Sequence, residues 1–337
     1  MIDVNNPNAI LAAKMCGDLF TNDSVKAKKE FKVLAQMYHP DRNKSKQAEE
    51  VFKKIKELYN TAKGMIESGK WAESDCIEFD TKDGKRKKLK FIKECKFELG
   101  VQYISSSIIT YVLEAQNKKY FDNAIKRIGS LGYEHDAMEK EFSRYFPEFI
   151  ETFETEEGKW VLVIKKTKDL IRLQDLLDFY KGNINDRHVA WMMSRLSNIC
   201  CFIEYNGITH NGISLENCFV SPEYHSIALL GGWWYCVGRG EKMFGTQKQI
   251  YDIMGPLTKT NKIGSVTTDL ESVKLIGRTL LGKTQAPDSF RNWLNSGSSG
   301  IARNEYTKWS QALDRAYGER RFIKLEATEQ EVYNLKI

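Results

Sequence analysis

No apolar run in the 337-residue sequence approaches the roughly 18 residues that a membrane-spanning helix needs. The first residues, Met1 to Asn5, also lack the basic and apolar stretches of a signal peptide. We therefore expect no membrane segment and a cytoplasmic location for this protein.

Cysteine pairs at metal-ligand spacing are missing as well, since none of the seven cysteines forms a C-x-x-C motif. An odd and unpatterned set of this kind indicates reduced thiols and no metal site. The net charge of +6 is modest for this length and does not favour nucleic acid as a partner. Hydrophobic residues make up 42% of the chain and aromatic residues 12%, which is typical of a folded protein.

The N-terminal part of the sequence contains two amphipathic segments that flank a short polar loop. Pro40 lies in this loop, and a proline disfavours the helical conformation in the residue before it. The pattern therefore predicts two helices that pair as an antiparallel hairpin. Apolar residues recur at helical spacing on both sides of the loop, at Ala27, Phe31, Leu34, Ala35 and Tyr38 and at Ala48, Val51, Phe52, Ile55, Leu58, Tyr59 and Ala62.

This arrangement resembles the J-domain of the DnaJ co-chaperone family. Phe31 to Ala35 matches the aromatic-x-x-Leu-Ala pattern of the family, and Glu49 to Ile55 matches its acidic start and Phe-x-x-Ile. The resemblance implies an all-α J-domain over residues 1–70 and a DnaK-type ATPase chaperone as its partner. It also implies that the chaperone is bound by His39, Pro40 and Asp41.

Four lysines lie off the apolar stripe of the helix before the loop, at Lys26, Lys28, Lys29 and Lys32. A charge run is usually an ordinary solvated face. Because the His-Pro-Asp loop follows so closely, we interpret these lysines as a basic face that meets an acidic surface of the chaperone.

The remaining helices of the small domain are predicted from their ends. We expect the first helix over Asn8 to Leu19, the second capped by Asn22 or Asp23, and the third ending near Ser68 and Gly69. The Gly/Phe-rich stretch and the cysteine-rich zinc region of DnaJ-type chaperones are absent from the sequence.

From Cys76 onward the pattern changes to strands. Ile77 to Phe79 and Leu89 to Ile92 flank the Asp83-Gly84 pair, which is a strong hairpin signal. Basic residues crowd this turn, and nucleic-acid binding is one interpretation of them. An edge hairpin commonly carries lysines to stay soluble, so we consider nucleic acid unlikely as a partner.

The segments that follow resemble the small lobe of the protein-kinase fold in their order. The resemblance implies an α+β bilobal protein-kinase-like domain over residues 76–337, with a small lobe at 76–166 and a large lobe at 167–337. Helices are predicted over His135 to Tyr145, Leu170 to Tyr180 and Asp186 to Tyr205. Strands are predicted over Lys96 to Val101, Ile108 to Glu114, Asn123 to Ile128, Phe149 to Thr155 and Trp160 to Lys165.

Ile208 to Val220 resembles the kinase catalytic loop, which reads His-Arg-Asp-Leu-Lys-x-x-Asn in the family. His210 and Asn217 match the family histidine and the magnesium-binding asparagine. Gly212 stands in place of the catalytic aspartate, and Gly231 in place of the metal-binding aspartate. Asp269 matches the aspartate that ties the central helix to this loop and implies a structural role.

A nucleotide pocket is implied only weakly by the same resemblance. Lys126 is the candidate for the phosphate-binding lysine, with Glu139 or Glu141 as its ion-pair partner, although such a lysine is equally expected in a structural ion pair. ATP is thus a candidate cofactor that no complete motif supports. Trp233 and Trp234 either stack on a ligand or fill the space between the lobes, and we favour the packing interpretation.

Two functions remain open from the sequence. The first is a co-chaperone that stimulates a DnaK-type ATPase and targets it through a pseudokinase domain to a client or assembly protein. The second is an atypical ATP-binding transferase or nucleotide-dependent regulator whose J-domain serves for targeting. The overall organisation also resembles proteins of large bacteriophages, which would make the chaperone that of the bacterial host.

Overall fold

The computed structural model describes residues 3–13, 16–21, 23–45, 47–67, 76–319 and 323–333. Its contacts divide the chain into two compact units. The first is Met1–Glu78 with Lys87–Lys90, and the second is Phe79–Arg86 with Phe91–Ile337. Among the described residues, no helix is both long and apolar enough to cross a membrane.

The first unit contains the helical hairpin that the sequence predicts. Its helices are α1 (Pro7–Leu11), α2 (Ser24–Tyr38) and α3 (Ala48–Glu67). The Asp23 carboxylate caps α2 by accepting hydrogen bonds from the backbone N–H groups of Val25 and Lys26, at 3.0 and 2.8 Å. The two apolar stripes face each other, and Phe31 of α2 stacks on Tyr59 of α3 with ring centroids 4.1 Å apart.

The first helix is shorter than predicted. In place of one helix over residues 8–19, the structure has α1 and a separate 3₁₀ turn at Cys16–Asp18. Gly17 and Asp18 are both weak helix formers, which favours a tight turn over a continuing helix. The predicted positions Asn22, Ser68 and Gly69 lie outside the described residues.

The β-structure of the small lobe is antiparallel. A two-stranded sheet pairs β1 (Cys76–Asp80) with β2 (Arg86–Lys90) around the Asp83-Gly84 turn. A five-stranded sheet in the order β3-β4-β5-β7-β6 follows, and two helices are inserted between β5 and β6. Their bounds are β3 (Lys93–Phe97), β4 (Gly100–Ile104), β5 (Ile108–Leu113), α4 (Lys118–Gly129), α5 (Asp136–Phe142), β6 (Phe149–Glu154) and β7 (Trp160–Lys165).

Two of the predicted strands were wrong. Residues 96–101 contain the tight turn between β3 and β4, and residues 123–128 belong to helix α4. Phe121, Ala124 and Ile128 are buried on one side of that helix, so their spacing of three and four residues is helical. Three strands of the five-stranded sheet do precede the helical part of the small lobe, but the third of them is β5, and two helices instead of one stand between it and β6.

The large lobe is mainly helical. Helices α7 (Asp186–Tyr205) and α10 (Val266–Leu281) pack together at its centre, and α12 (Ala302–Tyr317) packs against α7. Its short strands are β8 (Ile171–Arg172), β9 (Ile208–Thr209), β10 (Cys218–Ser221), β11 (Ser226–Leu229) and β12 (Val237–Gly238). Its helices are α6 (Leu173–Phe179), α7 (Asp186–Tyr205), α8 (Lys248–Ile253), α9 (Pro256–Asn261), α10 (Val266–Leu281), α11 (Asp288–Asn295), α12 (Ala302–Tyr317) and α13 (Glu329–Val332).

The C-terminal segment returns to the connection between the two lobes. The buried ammonium of Lys166 lies 2.5 Å from a carboxylate oxygen of Glu329, and burial lowers the pKa of this lysine. Nearby, the hydroxyl of Tyr333 accepts a hydrogen bond of 3.2 Å from the backbone N–H of Arg172. The segment therefore fixes the lobe connection by side chains that are themselves largely buried.

Most basic residues at the β1–β2 turn face carboxylates. The pairs are Lys82 with Glu154 at 2.8 Å, Lys85 with Asp83 at 2.7 Å, Arg86 with Asp80 at 4.0 Å and Lys88 with Glu78 at 3.9 Å.

Candidate chaperone-docking loop and kinase-like cleft

The His-Pro-Asp loop is a closed turn at the end of α2. His39 leaves the helix in an extended conformation, and its carbonyl accepts hydrogen bonds from the backbone N–H groups of Arg42 and Asn43 at 2.9 and 2.8 Å. The side-chain amide of Asn43 donates to the carbonyl of Met37 at 3.0 Å and so satisfies the last turn of α2. Asn43 therefore positions the loop, a role that the sequence pattern does not indicate.

The side chains of the loop are accessible to a partner. The His39 ring is 44% exposed and the Asp41 side chain 87% exposed. Nδ1 of His39 accepts a hydrogen bond of 3.2 Å from the backbone N–H of Asp41 and lies 3.6 Å from the Asp41 carboxylate. The other side of the ring meets the edge of Phe52, with centroids 5.2 Å apart. These contacts orient His39 without burying it.

All four lysines of the basic face are exposed on α2. Among the described residues, no ion pair joins Lys26, Lys28, Lys29 or Lys32 to a carboxylate. Val25 and Val33 lie on the same exposed part of the helix and are 65% and 56% exposed. The solvent face of α2 therefore offers both positive charge and two apolar contacts, and the valines were not anticipated.

In the second unit, a cavity of about 410 Å³ lies between the five-stranded sheet and the large lobe. This is the position of the nucleotide cleft in a kinase-type fold. Amide side chains, aromatic rings and charged side chains of both signs form its wall. The residues that line it include Lys96, Phe97, Glu98, Gln102, Tyr111, Arg172, Glu216, Asn217, Trp234, Gln247, Lys248 and Asp252.

The third strand of the sheet carries no lysine. Protein kinases place their phosphate-binding lysine on this strand, and here β5 offers Tyr111 to the cleft. The Tyr111 hydroxyl accepts a hydrogen bond of 2.9 Å from Gln102 and donates one of 3.2 Å to the carbonyl of Leu230. Burial raises the pKa of Tyr111, which keeps the phenol neutral. Sequence reasoning missed Tyr111 because it assigned the wrong third strand.

Three predicted pocket residues lie away from this cleft. Lys126 is exposed on α4, and Glu139 and Glu141 are exposed on α5, where Glu141 pairs with Arg144 at 3.3 Å. α4 turns two polar side chains inward, Asn123 and Arg127. The Asn123 amide donates to the carbonyls of Trp234 and Cys236 at 3.2 and 2.8 Å, and the Arg127 guanidinium pairs with the Glu241 carboxylate. A hydrogen-bonded contact and an ion pair thus join this helix to the segment after Gly231.

The loop that resembles the kinase catalytic loop is tied to α10 by Asp269. The Asp269 carboxylate accepts the backbone N–H groups of His210 and Asn211 at 2.8 and 2.7 Å. Burial raises the pKa of this carboxyl to about 7, although both hydrogen bonds act to lower it. Asn211 adopts a φ of 55°, a left-handed conformation that asparagine tolerates better than most residues.

The glycines at the two aspartate positions are required by close packing. A Cβ atom on Gly231 would lie 2.5 Å from Oδ1 of Asn217 and 2.8 Å from the Tyr111 hydroxyl. A Cβ on Gly212 would lie 2.9 Å from the carbonyl of Gly232. Neither position has room for an aspartate, so the space that a kinase uses for charged groups is filled by backbone and by neutral side chains.

Asn217 and His210 are both engaged in this packing. The Asn217 amide donates to the carbonyl of Gly212 at 2.8 Å and to Oε1 of Gln247 at 3.3 Å. His210 is completely buried against the edge of Trp233, with centroids 4.8 Å apart. Neither of its ring nitrogens has a hydrogen-bond partner among the described residues, and burial lowers its pKa to about 3.

The tryptophans fill space between the lobes, as the packing interpretation expects. Trp234 stacks on Phe97 with centroids 4.9 Å apart and meets Tyr111 edge to face at 5.0 Å. Trp233 is 1% exposed and donates its indole N–H to the carbonyl of Leu229 at 3.0 Å. The two tryptophans are therefore held by contacts within the protein.

A kinase-type fold implies magnesium, and the residues present do not fit this ion. Magnesium is held by carboxylates and phosphates in near-octahedral geometry. The oxygen of Asn217 faces Gly231, where no carboxylate stands. Among the described residues, no group of three or more histidine, cysteine, aspartate or glutamate side chains could hold a metal.

Comparisons with known proteins agree with this description of the two parts. Residues 21–63 match the DnaJ domain. None of the curated proteins matches the chain. Among solved structures, vaccinia related kinase 3 is similar with a TM-score of 0.50 and 14% identity, covering 71% of this chain and 91% of that one. The BubR1 kinase domain matches with a TM-score of 0.47 and 10% identity, over 67% and 84% of the two chains.

These findings confirm two predictions. The chain carries a J-domain in its N-terminal helical region, and a mixed helix and sheet domain of the protein-kinase fold follows. A J-domain implies a co-chaperone role with a DnaK-type partner. The likeness to kinases is low in identity and shows the fold alone.

Replacing Gly231 by alanine should destabilise the second unit by about 1–3 kcal/mol, because the added methyl overpacks against Asn217 and Tyr111. Urea unfolding measures this change. Gly300→Ala is the matched control, since a Cβ there meets nothing within 4 Å. Equal stability of the two variants would contradict the packing described for Gly231.

The wild type should become less stable at acid pH because of His210, and the His210→Leu variant should not. The pKa of His210 is about 3 in the folded chain, below the usual 6.5. As the pH falls below 6.5, the imidazole is therefore protonated in the unfolded chain but not in the folded one, which favours unfolding. The wild type should lose about 2 kcal/mol relative to His210→Leu between pH 7 and pH 5. Urea unfolding at both pH values tests this, and parallel profiles would refute it. Asp269 is present in both proteins and cancels in the comparison.

Proposed function

We propose that this chain is a co-chaperone that stimulates the ATPase of a DnaK-type chaperone and directs it through a pseudokinase domain to a client or assembly protein. The observation that carries the proposal is the exposed His39-Pro40-Asp41 turn at the end of the basic helix α2. We place this activity in the cytoplasm. For a phage-encoded chain, the chaperone would be that of the bacterial host.

The docking step follows from charge and exposure. The exposed lysines on α2, which pair with no carboxylate among the described residues, attract an acidic surface and speed the encounter with it. Val25 and Val33 then contribute apolar contact once the helix has docked. The loop presents the Asp41 carboxylate and the His39 ring at the end of the same helix, where both remain exposed to the partner. The J-domain thereby acts on the chaperone through groups that it does not need for its own core.

The residues at the positions of the kinase lysine and aspartates support the proposal that this domain is a pseudokinase. Phosphoryl transfer depends on positioning and on charges that neutralise the phosphates. Here Tyr111 occupies the cleft face of the lysine strand, and Gly212 and Gly231 occupy the aspartate positions with no room for a larger side chain. The alternative function, an ATP-dependent transferase, relied on Lys126, which is exposed on α4 and does not line the cleft.

His39→Gln should abolish stimulation of a bacterial DnaK-type chaperone in single-turnover ATP hydrolysis. The substitution removes the imidazole from the docking loop, while the helix packing of the J-domain does not depend on this half-exposed ring. Circular dichroism should show unchanged helix content.

Lys44→Ala is the matched control for this experiment, because Lys44 is an exposed charged residue just after the same loop. It should leave the stimulation within about twofold of the wild type, as expected for a rim position. An intact chain that fails to stimulate the chaperone, or a His39→Gln variant that still does so, would contradict the proposed function.

Reversing charge on α2 should weaken docking without altering the loop. The double variant Lys28→Glu/Lys32→Glu should raise the concentration needed for half-maximal stimulation by about tenfold, and added salt should shrink the difference. The double variant Lys56→Glu/Lys63→Glu on α3 provides a control of the same charge change at exposed positions outside the basic face. If this control has the same effect as Lys28→Glu/Lys32→Glu, docking does not depend on the α2 face.

A further inference from the structure

A second cavity lies in the large lobe, away from the interlobe cleft. Its volume is about 280 Å³, and it is formed where α7 and α12 pack beside the β10–β11 turn. Both charged and aromatic side chains reach into it. The residues used below are Arg187, Trp191, Arg195, His225, Trp309 and Tyr317.

Its wall is aromatic and rigid. The imidazole of His225 stacks on the Trp191 indole with centroids 4.6 Å apart and an angle of 5° between the rings. Trp309 is 1% exposed and donates its indole N–H to Ser194 at 2.8 Å. Flat, immobile rings of this kind bind an apolar or aromatic side chain at low entropic cost.

Two arginines stand at the rim on the exposed face of α7. Arg195 donates through Nε to the carbonyl of His225 at 3.0 Å, and the Arg187 guanidinium lies 4.8 Å from the Tyr317 ring centroid. Within the described ranges, neither guanidinium forms an ion pair with a carboxylate. The nearby Asp186 carboxylate accepts the Tyr317 hydroxyl at 2.7 Å instead. Both arginines therefore retain donors suited to an external carboxylate.

The spacing of these groups selects the shape of the ligand. Eight residues of α-helix separate Arg187 from Arg195, a rise of about 12 Å along the axis. An extended peptide advances about 13 Å in four residues and turns residues i, i+2 and i+4 to the same side. Acidic residues at i and i+4 would meet the two arginines, with an apolar residue at i+2 between them above the aromatic wall.

We propose that this cavity binds an extended acidic–apolar–acidic segment of a protein partner, with the pattern Glu-x-Phe-x-Glu. The apolar side chain enters between His225 and Trp309, and the two carboxylates pair with Arg187 and Arg195. The proposal rests on the proposed function in one respect, since it assigns the client or assembly protein to this surface of the kinase-like domain. Desolvated anchors flanked by charged pairs are a common basis of peptide recognition.

The test uses the full chain and a fluorescein-labelled peptide Gly-Glu-Ser-Phe-Ser-Glu-Gly, with binding followed by fluorescence anisotropy. Binding should weaken at least tenfold when both glutamates are replaced by glutamine, and to a similar extent when phenylalanine is replaced by alanine. Absence of binding, or equal binding of the three peptides, would overturn the proposal.

Two variants test whether the peptide binds at this cavity. Arg187→Glu/Arg195→Glu should lose binding of the acidic peptide at least tenfold and gain binding of the peptide with lysine in place of glutamate. Arg303→Glu, a reversal at an exposed position of α12 that does not line the cavity, should bind as the wild type does. Unchanged binding by the double variant would refute the assignment.

His225→Gly tests the wall separately from the charges. The φ of 45° at His225 is one that glycine adopts without strain, so the turn should persist while the stacked ring is lost. Peptide affinity should fall at least threefold, and unchanged affinity would exclude the ring from the site. The variants of this cavity should stimulate the chaperone ATPase as the intact chain does, which separates failure at this site from failure of the co-chaperone function.

Discussion

The buried carboxylate of Asp269 is the contact on which the centre of the kinase-like domain depends. It accepts the backbone N–H groups of His210 and Asn211, and burial leaves it a pKa of about 7. Unpaired backbone donors at this depth would each cost about 1–3 kcal/mol, so the contact is retained even though burying the acid is unfavourable. By fixing residues 210–211, it sets the position of Gly212 and of the backbone that packs against Gly232.

Around this anchor, the positions that correspond to the kinase lysine and aspartates are occupied by neutral, packed groups and not by charges. A kinase surrounds its cleft with a lysine and with acidic residues that act on a nucleotide and its metal ions. In this chain the equivalent region contains a neutral phenol, glycines without space for a side chain, an asparagine bonded to backbone, and tryptophans stacked between the lobes. These groups stabilise the domain through dispersion and neutral hydrogen bonds, which need no ligand to be satisfied.

Sequence reasoning succeeded where local signals were strong. The fold of both parts was predicted from the His-Pro-Asp loop between two phased helices and from the loop around His210 and Asn217. Helix α7 was placed at its observed bounds because a long periodic run ends at Asn206-Gly207.

The third strand was predicted at the wrong segment because α4 carries branched residues that resemble a strand. As a result, Lys126 was expected in the cleft, where it does not lie, and Tyr111 was not recognised as a cleft residue. The cavity between α7 and α12 could not be predicted, since its walls come from segments about a hundred residues apart.

The distribution of exposed side chains supports the proposal that the kinase-like domain serves as a binding domain. A fold provides a scaffold, and its function lies in whichever sites the scaffold presents. In the J-domain, accessible side chains are concentrated on α2 and the loop after it. In the kinase-like domain, His210, Asp269 and Asn217 are all buried and mutually supporting, whereas Arg187 and Arg195 are exposed on a rigid helix beside an aromatic wall. An exposed surface such as the one around Arg187 and Arg195 can evolve binding to a partner by substitution of exposed residues alone, because none of the core contacts needs to change.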